Sequence, residues 1–154
     1  MVSLAGVRWL RFQQIWGLEM PAGVSSRLDS LSFLVVDDEA FIRDLLVRML
    51  RLKGAAKIAT ASSGLEALAY LDSAEPKPDV LLIDLLMPDM GGVELMRQLA
   101  ERVYKGAVIL VSGSDREILA VAEAMGKSRD INLLGSISKP VKPEILGEML
   151  AMLG

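Results

Sequence analysis

Two short runs in this chain are wholly apolar and end abruptly in acid: Phe33–Val36 before Asp37-Asp38-Glu39, and Val80–Ile83 before Asp84. A run of four apolar residues with no alternation reads as a β-strand buried on both faces. Such strands need helices on either side, which narrows the fold to a parallel sheet with crossover helices. Ala107–Val111 repeats the pattern and ends in Ser112-Gly113-Ser114. A short strand over Lys57–Ala61 and another near Leu133–Ser138, ending in Lys139-Pro140, bring the number to five.

Helical patterns fill the gaps. From Glu39 to Lys53 the spacing places Ile42, Leu45, Met49 and Leu52 on one side, with Gly54 as a natural stop. A second helix starts at Ser63 and presents Leu65, Leu68 and Leu71. Further helices are predicted over about 93–102, 115–127 and 143–153. The prediction is therefore α/β: five parallel strands alternating with five helices, doubly wound, with every strand's C-terminal end on one edge. In open sheets of this kind the functional site lies at that edge.

That edge would collect Asp37, Asp38, Asp84, Ser112 and Lys139. The chain has no Cys and no His, so thiol chemistry, imidazole metal ligation and a phosphohistidine of its own are excluded. Three carboxylates without nitrogen or sulfur donors suit a hard cation such as Mg²⁺. Lys139 adds a compact positive charge and Ser112 a hydroxyl donor. An aspartate nucleophile, a cation, an ammonium and a hydroxyl are the parts that phosphoryl transfer to a carboxylate requires. Taken singly, each residue has a structural explanation: a helix cap, a turn, a solvated loop lysine. Four such coincidences, at the ends of the first, third, fourth and fifth strands, are harder to accept than one site.

From about Ser32 to Leu153 the chain resembles the receiver domain of two-component response regulators. The resemblance rests on Val35-Val36-Asp37-Asp38-Glu39, Asp84 with Met87-Pro88-Asp89-Met90-Gly91-Gly92, Ser112-Gly113, and Lys139-Pro140. It implies the flavodoxin-like (βα)5 fold with strand order 2-1-3-4-5, an order carried over from the family. It also implies roles. Asp84 is the phosphoacceptor; Asp38 binds Mg²⁺ directly, Asp37 mainly through water, and the backbone carbonyl of Leu86 completes the protein ligands. Ser112, the Gly113 backbone and Lys139 meet the phosphoryl group, and the Lys139–Pro140 bond is often cis in such domains. The donor is a phosphohistidine on a sensor histidine kinase or a histidine phosphotransfer protein. Two positions depart from the pattern: Ser136 stands where relatives often carry an aromatic switch, and Leu86 is apolar where many are polar.

Domain limits of 1–30 for an N-terminal extension and 31–154 for the receiver follow, with a linker-like break over about 21–32. Because the sequence ends with the last helix, output is expected through protein–protein contact. The paired stripes Ile145/Met149/Met152 and Leu146/Leu150/Leu153 read first as one wide core stripe, and otherwise as a surface of the last helix and fifth strand for a target or a homodimer. A net charge of −3 gives no basic footprint for nucleic acid. No apolar stretch reaches the ~20 residues of a membrane span, and Arg8 and Arg11 interrupt any signal-peptide core; a cytoplasmic protein is expected. Trp9, Phe12 and Trp16 would share one helical face, so the extension reads as a docking amphipathic helix, a frayed tail, or sequence upstream of a start at Met20. The competing functions are a receiver-like adaptor that works without phosphorylation, and a Mg²⁺-dependent phosphatase. The phosphatase would want an acid two residues after its nucleophile, where Leu86 stands. The favoured reading is a phosphoacceptor that assists its own modification and is not a turnover enzyme.

Overall fold

The structure, a computed structural model, describes residues 28–113 and 115–153; the expectations for Trp9, Phe12 and Trp16 lie outside those residues. From Ser32 onward, strands β1 (Ser32–Val36), β2 (Lys57–Ala61), β3 (Val80–Asp84), β4 (Ala107–Ser112) and β5 (Asn132–Ser138) alternate with helices. The helices are α1 (Ala40–Leu52), α2 (Gly64–Ser73), α3 (Gly92–Glu101), α4 (Arg116–Ser128) and α5 (Pro143–Ala151). All four strand pairings are parallel, in the order β2-β1-β3-β4-β5. The doubly wound sheet and its strand order agree with the sequence-based prediction.

Alternation along each strand divides the core. Leu34 and Val36 of β1, Leu81 and Ile83 of β3, and Val108 and Leu110 of β4 pack with Leu68, Leu71, Leu95, Leu99 and Ala122 of α2, α3 and α4. The intervening Phe33, Val35, Leu82 and Ile109 face the other way, onto Leu46 and Leu50 of α1 and Leu146 and Leu150 of α5. Both faces of the central strands are thus covered, which is why β1, β3 and β4 carry polar residues only at their ends.

Two helix faces differ from the sequence prediction. Leu52 is 84% exposed, and α1 buries Leu46, Met49 and Leu50 instead. Leu52 lies six residues past Leu46, hence about 120° around the helix, beyond the reach of the sheet. Leu65 is likewise exposed, since α2 turns Gly64, Ala67, Leu68 and Leu71 inward. In α5 the stripe splits: Leu146 and Leu150 are buried, Met149 and Leu153 pack beside them, and Ile145 and Met152 face solvent. No helix among the described residues is long and apolar enough to cross a membrane.

Candidate functional site

The register sets the site. Val36 pairs with Ile83, so Asp37 emerges level with Asp84; Asp84 pairs with Val111 and Ser112 with Ser138, so Lys139 emerges one residue further on. A main-chain bond from Lys139 N–H to the Ser112 carbonyl, 2.7 Å, carries the pairing just past the strand ends. The Lys139–Pro140 peptide is cis.

Asp37, Asp84 and Ser112 are the buried polar residues among those described. Asp37 is fully buried; its Oδ1 accepts from the Glu39 N–H at 2.9 Å, while Oδ2 has no hydrogen bond and lies 3.4 Å from Lys139 Nζ. Arg43 steadies the same residue from α1, donating from Nη1 to the Asp37 carbonyl at 2.7 Å. Asp84 Oδ1 accepts from the Leu86 N–H at 3.2 Å and lies 3.4 Å from Lys139 Nζ. One ammonium therefore faces two buried carboxylates. Asp38 is exposed, yet one carboxylate oxygen from each of Asp37, Asp38 and Asp84 falls within 4.8 Å of the others.

The electrostatics follow from that crowding. Burial, and then the Asp37 charge, push the Asp84 carboxyl up to about 6, against the opposing pull of the Leu86 N–H and Lys139. Burial works against the charge on Lys139, but Asp84 and Asp37 outweigh it and raise its pKa.

Other residues singled out in the sequence sit at the margins. Leu86 is half exposed, and Gly113 faces open space where a side chain would stand. Ser136 lies on β5 beside Leu110, its hydroxyl donating to Glu123 of α4 at 3.4 Å. Sequence reasoning missed Arg43, whose partner is a backbone carbonyl, and Asp89, whose carboxylate accepts from the Leu65 N–H 24 residues away. Neither contact has a local sequence signal.

Comparison with known proteins adds a second line. The family model described as response regulator receiver domain matches residues 33–151. The positive alginate biosynthesis regulatory protein of Pseudomonas aeruginosa is 34% identical over 78% of this chain, and the chain spans 46% of that protein. The chain spans only 13% of the sensor protein TorS of Escherichia coli, at 32% identity. The chemotaxis protein CheY of Listeria monocytogenes is 29% identical over 78% of this chain and is covered over 95% of its own length. Among solved structures, a response regulator from Colwellia psychrerythraea is 31% identical with a TM-score of 0.67, over 80% of this chain and 97% of that one. A receiver domain protein from Clostridium thermocellum superposes with a TM-score of 0.69 at 25% identity, over 79% and 92%.

Proposed function

The chain belongs to the response regulator receiver domain family, and from that premise we propose that Asp84 accepts a phosphoryl group and that the acidic edge holds Mg²⁺ while it does so. The observation that carries the reading is the pair of buried carboxylates, Asp37 and Asp84, sharing one ammonium, with Asp37 Oδ2 left without a hydrogen bond. A buried carboxylate oxygen without a hydrogen bond is costly, and a cation bound by Asp37, Asp38, Asp84 and the Leu86 carbonyl would relieve it. The donor set, oxygen atoms only, fits Mg²⁺. When bound, the cation supplies positive charge against the phosphoryl oxygens and the carboxylates.

The remaining steps belong to the chain's own residues. Asp84 Oδ1 is held by the Leu86 N–H and Lys139, which leaves Oδ2 to attack phosphorus. A P–O bond forms to Asp84 as the P–N bond of a phosphohistidine breaks; the imidazole leaves with the electron pair and takes up a proton. Lys139 then follows the charge onto a phosphoryl oxygen, with Ser112 and the Gly113 backbone donating beside it. The donor is a sensor histidine kinase or a histidine phosphotransfer protein. The modified form signals to a protein target through the α5/β5 surface, where Ile145 and Met152 are exposed, or by pairing with a second copy. We assign this signalling unit to residues 31–154, with 1–30 as an extension, and place it in the cytoplasm.

Phosphoramidate, a small donor with a P–N bond, tests the chemistry. Incubation with Mg²⁺ should add one phosphoryl mass per chain, and neither removal of divalent cations nor Asp84→Asn should leave any gain. Labelling that persists in the Asn variant would sink the assignment.

A further inference from the structure

The loop between β3 and α3 runs from Leu85 to Gly91, and it is tied down at both ends and at its tip. At its base the Leu85 N–H bonds the Val111 carbonyl at 3.1 Å, and the Gly92 N–H closes back onto the Leu85 carbonyl at 2.9 Å. Gly92 is needed there, since a Cβ would come within 2.9 Å of the Leu85 Cα. At the tip, Asp89 reaches across to α2. Its Oδ2 accepts from the Leu65 N–H at 3.2 Å. Burial works against the charge on this carboxylate, but the Leu65 N–H and the loop's own N–H groups outweigh it and hold the acid below its ordinary pKa.

The first turn of α2 thus has two caps of different origin. Ser63, in sequence, accepts from the Glu66 N–H at 3.0 Å, and Asp89, from the loop, takes the Leu65 N–H just before it. Met90 packs so closely on Gly64 that a Cβ there would lie 2.7 Å from the Met90 Cβ. Three residues before Asp89, Leu86 donates its N–H to Asp84. The residue that caps a helix therefore also anchors the segment that holds the acceptor carboxylate.

We propose that Asp89 is a positioning residue for the phosphoacceptor site: its carboxylate clamps the β3–α3 loop onto the first turn of α2 and so fixes the Leu85–Leu86 backbone against Asp84. The consequence for Mg²⁺ rests on the function proposed above, because it runs through the Leu86 carbonyl; the clamp itself does not. An outer partner of this kind sets how well a ligand group is aimed without touching the cation.

Ser63 provides the control, since Ser63→Ala removes a cap from the same helix end without touching the loop. Both Asp89→Ala and Ser63→Ala, in the full chain, should lower the melting temperature. Only Asp89→Ala should speed hydrogen exchange at the Leu86 N–H, and it should weaken Mg²⁺ binding by about tenfold in a titration with the metal alone. Asp89→Asn keeps one acceptor oxygen and should show the same changes at smaller amplitude, so it carries the test should the Ala variant not fold. Leu86 exchange that is the same in the Asp89 variants, Ser63→Ala and the unaltered chain would reduce Asp89 to a helix cap and overturn the proposal. If the unaltered chain binds no Mg²⁺, Leu86 exchange still decides the clamp, and the proposed function alone falls.

Discussion

The two edges of the sheet are built from similar residues and treat them in opposite ways. At the N-terminal edge, polar groups find partners. Tyr104 donates its hydroxyl to the Pro78 carbonyl at 2.6 Å, Asp79 accepts from the Ser32 N–H at 2.8 Å, and Arg102 grips Asp72 at 2.8 and 3.1 Å. Lys77 closes the end of α2 by donating to the Leu71 carbonyl at 2.6 Å. A cavity of about 570 Å³ opens there among Leu71, Leu99, Val103 and Tyr104, but most of its charged rim is already engaged. At the C-terminal edge, two buried carboxylates share one lysine, and an oxygen is left without a hydrogen bond. Space alone does not mark chemistry. Unmet electrostatic demand in a buried place does, because folding alone would have removed it.

The contrast can be broken by moving the same substitution from one edge to the other. Lys139→Ala should slow phosphoryl labelling by roughly ten- to a hundredfold, as for loss of one preorganised donor to developing charge. Lys105→Ala, on the rim of the cavity at the opposite edge, should leave the labelling rate unchanged; equal effects would erase the distinction.

Tyr104→Phe reverses the roles. It strands the buried Pro78 carbonyl and should lower stability by about 1–3 kcal/mol in denaturant unfolding, while labelling of the folded protein is unaltered. A labelling defect in this variant would mean the edges are not independent.

The smallest effect concerns Leu86, half exposed two residues after Asp84. It offers water no polar partner for attack on a phosphorylated Asp84, so Leu86→Asn should shorten the lifetime of the modified form by about threefold, a fraction of a general-base contribution. Equal or slower decay, followed by intact mass after donor removal, counts against the shielding role.

Much of this was legible because the central strands have unbroken apolar interiors. Phe33–Val36 and Val80–Ile83 had no face to offer solvent, so the sequence itself called for a covered parallel sheet, and parallel order brings strand ends together. Asp37, Asp84, Ser112 and Lys139 are each the last strand residue or the next one, so chain order alone placed them on one edge. The helices were less readable. Leu52 and Leu65 are apolar yet exposed, because a hydrophobic stripe fixes the period of a helix but not which flank meets the sheet. Long-range polar contacts were not readable either: the Asp89–Leu65 bond joins a turn residue to a backbone N–H, and neither partner advertises the other.

The most direct test of the account is the pH dependence of stability in metal-free buffer, unaltered chain against Asp84→Asn. The Asp84 carboxyl titrates near 6 in the folded protein, above its ordinary 3.8, so the folded state favours the protonated form. Its contribution is complete below about pH 4 and is lost as the pH rises through about 6, leaving the ionised acid a destabilising group at neutrality. Asparagine stays neutral throughout. The Asn variant should therefore match the unaltered chain near pH 4 and exceed it by on the order of 2–3 kcal/mol at pH 7, with the gap closing when Mg²⁺ is added. Equal stability at pH 7, or an Asn variant that is the weaker of the two, would contradict the claim that this edge is held in unresolved repulsion.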